Sequence, residues 1–349
     1  MATTMAVGGQ AVIEGVMMRS PNSMAVAVRR PSDKKIIVKE FQWVSLSEKH
    51  PFLKKPILRG MTILVESMMN GISALSFSAE LASLEEQKAD PTKQADNKSE
   101  ALTKGAIVAS IVVAFGMGIF MFVVLPHLLT ELFGRFFLNS LAVDTFSFHF
   151  IDGLIKMSIF IGYVMAISLM KDIKRVFQYH GAEHKSIFAF EKQLPLVIEN
   201  ARIQSRFHPR CGTSFILTVI LASILIFSAV FPLLPRPDLS PVLTSLLFAL
   251  IKIPLMLPIV GLSYEFIKLM GSDSCPAWLK TLSKPGLFMQ NLTTREPDDE
   301  QIEVGLASLK ACLWREENLS KDPKKKRESL IEFESISSPV FEQRLAEQA

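Results

Sequence analysis

Residues 105–129 read GAIVASIVVAFGMGIFMFVVLPHLL, a run without a single formal charge. A helix rises about 1.5 Å per residue and a bilayer core is about 30 Å thick, so roughly 20 such residues can cross it. Three further stretches qualify. Leu154–Met170 carries Lys156 near one end, Thr213–Leu234 is uncharged, and Val242–Leu262 contains Lys252, Pro254 and Pro258. Hydrophobic residues make up 49% of the 349 positions and charged residues only 21%. The mean hydropathy is +0.30, and a soluble chain of this length would be more charged and less apolar. The expectation is an α-helical polytopic membrane protein with about four transmembrane helices in residues 105–270 and a small cytoplasmic α+β N-terminal region.

Basic residues orient the spans. The segment 171–212, between the second and third spans, carries Lys171, Lys174, Arg175, Lys185, Lys192, Arg202, Arg206 and Arg210. Lys104 precedes the first span, and Lys268, Lys280 and Lys284 follow the fourth. The two remaining connections hold only Arg135 and Arg236. Both termini and the 171–212 loop are therefore expected on the cytoplasmic side. Met1–Gly9 lack a basic start followed by an apolar core, so a spanning helix is expected to act as the insertion signal. Three scattered cysteines, Cys211, Cys275 and Cys312, fit a reducing compartment. A net charge of +4 gives no reason to expect nucleic acid as a partner; the expected partners are membrane lipid and an unidentified substrate or protein.

The flanks read as soluble sequence. Residues 1–55 are expected to be β-rich: Ala25–Val28 and Ile36–Val38 flank a Pro31-Ser32-Asp33 turn, and Gly8–Gly15 reads as a strand with tight turns. In residues 56–83, Ile57, Met61, Leu64, Val65, Met68, Ile72 and Leu75 form an apolar stripe, interrupted by Arg59 and Glu66, which predicts a packed or interfacial helix. Residues 84–104 read as a polar linker. Within 271–315 a helix is expected from about Pro297, with Asp298, Asp299 and Glu300 in its first turn and Ile302, Leu306, Leu309 and Leu313 on its apolar face. Residues 316–349, with the basic run Lys324–Arg327, read as a disordered tail.

Chemistry concentrates in Tyr179-His180-Gly181-Ala182-Glu183-His184, a His-x-x-Glu-His pattern of the inverted zincin type. Residues four apart share a helix face, so His180 and His184 can present two imidazoles to one metal. Glu183, next to the second of them, could take a proton from an attacking water. The alternative is a structural histidine pair. His208 and Cys211, in His208-Pro209-Arg210-Cys211-Gly212, and Glu265 after the fourth span are further ligand types. The expected topology brings all of them to one membrane face. Their bland readings are a helix cap for His208, packing for Cys211 and an i+3 pair with Lys268 for Glu265. The candidate metal ligands are thus His180, His184, His208, Cys211 and Glu265, the candidate catalytic base is Glu183, and imidazole with thiolate favours zinc among divalent metals.

The chain resembles the YqhQ-like family of bacterial membrane proteins. The resemblance is carried by Gly8-Gly9-Gln10-Ala11-Val12-Ile13-Glu14-Gly15-Val16-Met17-Met18-Arg19, by Tyr179–Lys185, by His208–Phe215 and by Leu292-Thr293-Thr294-Arg295-Glu296-Pro297, and it runs from about residue 6 to 315. It implies a bacterial cytoplasmic (inner) membrane location and a predicted metal-dependent enzyme, without a substrate. Gln10, Glu14 and Arg19 either reach over the metal site or are polar groups of a turn. Lys252, inside a span, is costly and marks function unless it snorkels or the helix shifts register. Three functions are compatible with these features: a zinc-dependent hydrolase at the cytoplasmic face, a non-enzymatic assembly factor or scaffold with a structural metal, and a transporter working through Lys252. A catalytic zinc keeps three protein ligands, whereas a structural one is closed by four.

Overall fold

Alternating apolar residues fold the first forty positions into an antiparallel meander. The computed structural model describes residues 5–89, 109, 112–137, 141–235, 239–270, 275–276, 281–318, 328–336, 341 and 343. The strands are β1 (Gly8–Val12), β2 (Gly15–Arg19), β3 (Ser23–Arg29), β4 (Ile36–Gln42) and β5 (Glu328–Phe333), hydrogen-bonded in that order. Glu14, in the tight turn between β1 and β2, takes a positive φ of 52°. The hairpin expected within residues 23–42 is β3–β4.

The helices are α1 (Leu58–Ala89), α2 (Val112–Phe137), α3 (Phe146–Ser168), α4 (Lys171–Glu191), α5 (Gly212–Val230), α6 (Pro241–Met270), α7 (Lys284–Thr293) and α8 (Asp299–Glu317). Among the described residues, four segments are long and apolar enough to cross a membrane: Val112–Phe137, Phe146–Ser168, Gly212–Leu233 and Leu246–Met270. The first continues well past Leu129, through a π-helical turn at Phe120–Val124. The helix of the fourth runs unbroken through Pro254 and Pro258.

The sheet is covered on both faces, and the two faces follow from the period of two along each strand. Val16, Met18, Ala25, Ala27, Ile36, Val38, Ile331 and Phe333 pack with Tyr179, Ala182 and Ile187 of α4 and Ile302, Leu306 and Leu309 of α8. Met17, Met24, Val26 and Val28 point the other way, onto Ala74, Phe77 and Leu81 of α1. Every residue of β3 is buried as a result. Each large apolar side chain buried there, Met24, Val26 and Val28, contributes about 1.5–3 kcal/mol. Asp298 caps α8 in a capping box with Gln301, as the acidic first turn suggested.

Three expectations change. The segment 316–349 is not wholly a tail: β5 pairs with β4 in the register Val38↔Ile331, because Ile331 and Phe333 alternate with outward Leu330 and Glu332 and complete the apolar face. The basic run Lys324–Arg327 lies outside the described residues. The helix read over 56–83 extends to Ala89, into the segment read as a linker; residues 90–108 lie outside the described residues. The packed face of that helix also differs from its most apolar stripe. Val65, Met68, Ile72 and Leu75 are exposed. The face turned inward instead carries glycines that allow close approach, Gly60 against Gly261 and Tyr264, and Gly71 against Gln10.

Candidate metal centre

α4 starts directly after α3 and packs beside α8 on one face of the sheet, so its functional residues are held from several sides. His180 and His184 stand one turn apart with ring centroids 4.5 Å apart. Their Nδ1 atoms are both committed to backbone carbonyls. His180 Nδ1 is 2.8 Å from the Thr293 oxygen, and His184 Nδ1 is 2.5 Å from the Arg206 oxygen. A carbonyl only accepts, so each Nδ1 carries the proton and donates it. Each Nε2 is then the atom free to bind a metal, which is how outer partners fix a ligating histidine.

The third atom comes from α5. Cys211 is its N-cap residue, and its Sγ stands 3.2 Å from His180 Nε2 and 3.2 Å from Thr213 Oγ1. Among the described residues, His184 Nε2 is buried with no hydrogen-bond partner. The ligand atoms of His180, His184 and Cys211 all lie within 4.8 Å of one another. Two ligands of a tetrahedral zinc, at about 2.0 and 2.3 Å from it, are separated by roughly 3.5 Å, so small side-chain adjustments close the site on an ion. An orphaned buried nitrogen beside a thiol and a second imidazole is the donor set that zinc takes.

The electrostatics agree with that donor set. Burial pushes the Cys211 thiol up, but His180 and His184 beside it outweigh burial and hold it well below the usual thiol range. Burial pulls His180 down, while the Cys211 charge, its hydrogen bond and Glu183 carry it up to about 9. The metal-free pair is therefore an imidazolium and a thiolate, and a metal ion needs that thiolate. Burial raises Glu183 above the usual carboxylate range, against the opposing pull of His180 and His184.

Two glycines let backbone close around these side chains. A Cβ on Gly181 would stand 2.2 Å from the Arg295 carbonyl oxygen, so the strand after α7 crosses α4 where only glycine fits. That crossing brings the Thr293 carbonyl onto His180. A Cβ on Gly9 would stand 2.8 Å from Glu183 Cγ and 2.9 Å from its Oε1. β1 thus lies directly on the Glu183 carboxyl, and the glycine-rich N-terminal segment forms one wall of the site.

Not every predicted ligand joins the group. His208 Nε2 faces Glu191 Oε2 at 3.4 Å, and its Nδ1 accepts from the Arg210 amide at 3.3 Å. Gln290 of α7 holds the His208 backbone on both sides, accepting from its N at 2.8 Å and donating to its O at 2.7 Å. His208 therefore stands beside His184, ring centroids 5.6 Å apart, with its ring committed elsewhere. Glu265 accepts from the Arg59 guanidinium of α1 and ties the end of α6 to α1. Gln10 packs on Gly71, Glu14 pairs with Arg175 and accepts from the Tyr179 hydroxyl, and Arg19 stacks on Trp43. Of that segment only the Gly9 backbone reaches the site. The sequence reading missed the Thr293 and Arg206 carbonyls and Gln290. Backbone oxygens leave no residue-type signature, although Thr293 lies in one of the four motifs that carried the family resemblance.

No solved structure matches the chain. It is 36% identical over 333 residues to a Bacillus subtilis (strain 168) protein described as "Uncharacterized protein YqhQ", an alignment covering 93% of this chain and 98% of the relative. A family model described as "Protein of unknown function (DUF1385)" matches residues 55–315, which hold both histidine motifs, Cys211 and the Thr293 strand. With most of its length matched on both counts, the chain belongs to the DUF1385 family.

Proposed function

We propose that this protein is a membrane-embedded zinc hydrolase. In this reading His180, His184 and Cys211 hold one ion at the cytoplasmic membrane face, and Glu183 is the general base. The observation that carries it is the commitment of both Nδ1 atoms to carbonyls, which aims two Nε2 atoms and one thiolate at a common point. Three ligands leave a coordination position open, as catalytic zinc requires. Zinc there would polarise a substrate carbonyl or phosphoryl group and activate water. Glu183, whose carboxyl burial raises above the usual carboxylate range, accepts the proton of the attacking water and returns it to the leaving group. The substrate would be a peptide, a lipid or a lipid-linked group, since the site sits at the foot of α5. The test is Glu183→Gln in the full-length protein. Metal content and thermal stability should stay near wild type, while the cellular phenotype of the intact gene is lost. A Glu183→Gln protein with full cellular activity would overturn the hydrolase reading and leave a scaffold whose metal staples α4, the 203–212 segment and the Thr293 strand.

One observation supports a second reading. Cys211 caps α5 and stands 3.2 Å from His180, which is also the geometry of a thiolate nucleophile with its histidine. Elemental analysis separates the two. A purified protein without metal, whose Cys211 is alkylated rapidly at neutral pH, is the outcome expected of a thiol enzyme and not of a zinc site.

The membrane placement belongs to the same proposal. The apolar side chains of the four long helices are largely uncovered by protein, with only 11% of the first apolar window and 44% of the third buried, and lipid would cover the rest. In the bacterial cytoplasmic membrane, with both termini inside, reporters fused after Lys104, Gln193 and Arg236 should read in, in and out. An exported reporter at Gln193 would move the histidines to the opposite side and sink the proposal.

A further inference from the structure

A second cluster of ionisable side chains lies inside the helical bundle, built from helices other than α4. Lys252 of α6 and Lys156 of α3 both approach Asp152 of α3, with Nζ to Oδ2 distances of 2.8 and 3.8 Å. His127 of α2 and His149 of α3 lie beside them, 5% and 1% exposed. The cluster is walled by aromatic rings: Lys252 Nζ is 6.0, 5.9 and 6.0 Å from the ring centres of Phe148, Phe227 and Phe231. Among the described residues, Asp152 Oδ1 and both ring nitrogens of His127 are buried without a hydrogen-bond partner.

Charge counting makes this arrangement unstable as drawn. With both lysines protonated, one carboxylate faces two ammonium groups, and a full positive charge is left among aromatic rings. The groups facing the cluster do not cancel it. α2 contributes His127 and, 4.0 Å from it, Glu131, which also faces Arg135 at 3.9 Å; Phe227 of α5 and Phe231, in the 3-10 turn that follows α5, face Lys252 and carry no charge. The Lys156 side chain is 13% exposed and its Nζ lies 5.7 Å from the Phe227 ring centre; an ammonium there that only shares one carboxylate is costly, and such a group sheds its proton instead. The shorter contact keeps the Lys252 ammonium on Asp152, so the proton that is free to leave belongs to Lys156.

We propose that Asp152, Lys156 and Lys252 form a proton-binding site within the bundle, in which Lys156 is a neutral amine that takes up and releases one proton. The unpartnered Asp152 oxygen and His127 nitrogens are hydrogen-bonding capacity for the water that carries it. Ionisable residues at such depth commonly mark proton relays. The site shares no residue with the metal centre, and the two proposals stand or fall separately.

The test uses the full-length chain, isotopically labelled at lysine Nζ, reconstituted in lipid nanodiscs and followed by nitrogen NMR from mildly acidic to mildly basic pH. One resonance should have the shift of a neutral amine at neutral pH and move to the ammonium position on acidification. It should be absent in Lys156→Met. In Lys252→Met it should appear as ammonium at neutral pH, because Asp152 then pairs with Lys156 alone. Lysine resonances that all stay ammonium throughout the titration overturn the proposal, as does an amine resonance that persists in Lys156→Met. If Lys252→Met does not fold, the wild-type and Lys156→Met spectra still decide.

Discussion

His180→Ala is expected to strip the protein of bound zinc, while His208→Ala and Glu265→Gln keep it. His180 supplies one of the three ligand atoms that converge among the described residues, and its replacement also frees the Thr293 carbonyl that anchors the crossing segment. Loss of an outer partner weakens metal binding about 10–100-fold, and loss of a ligand from a three-ligand site should exceed that. His208 and Glu265 look equivalent to His180 as residue types, yet their side chains are engaged by Glu191 and Arg59. Zinc-to-protein ratios of the four purified proteins make the comparison. Equal loss of metal in His208→Ala would show that His208 swings in as a fourth ligand, and the open position would disappear. Equal metal in all four would remove the site altogether.

Breaking the buried ion pair should have the largest effect on stability. Asp152→Leu leaves two lysines without their carboxylate, and Lys252→Met leaves the carboxylate with only the more distant Lys156. Removing one partner of a buried pair costs about 3–5 kcal/mol, whereas replacing both with apolar groups of similar volume is often neutral or stabilising. Thermal unfolding in detergent should therefore rank wild type above Lys252→Met and Lys252→Met above Asp152→Leu. The double variant Asp152→Leu/Lys252→Met should recover toward wild type, since Lys156 can remain a neutral amine. A double variant no more stable than Asp152→Leu would show that the pair is not the coupled unit described here.

The parts of the fold legible in the sequence share one property: they are written in local periodicity. Four long apolar runs, the alternation of β3 and β4, and the acidic cap of α8 each appear within a few turns or strands of their own residues. The strand β5 was missed because its alternation is only six residues long and follows a charged stretch, and its partner lies nearly three hundred positions away. The sequence left α1 as a packed or an interfacial helix for a related reason. Its stripe of large side chains is real, but close packing on α6 and the sheet favours the glycine-bearing face, where backbones can approach.

For the candidate site, the sequence by itself determined the identity and spacing of the chemistry. His180 and His184 four apart, Glu183 beside them and Cys211 at the start of an apolar run are readable because helix geometry converts spacing into a shared face. It also determined that five residues, not three, were competent ligands. Only the tertiary structure decided which of the five converge, because that choice depends on what each side chain meets across the fold: a carbonyl at Thr293 or Arg206 that turns an imidazole inward, or a carboxylate at Glu191 and a guanidinium at Arg59 that hold His208 and Glu265 away. Lys252 shows the same division. Its cost in an apolar helix was visible from composition, but its partner on another helix, a hundred positions earlier, exists only once α3 and α6 are brought into the same bundle. Hydrogen bonds and ion pairs act over a few ångströms, and only chain folding sets which residues come that close.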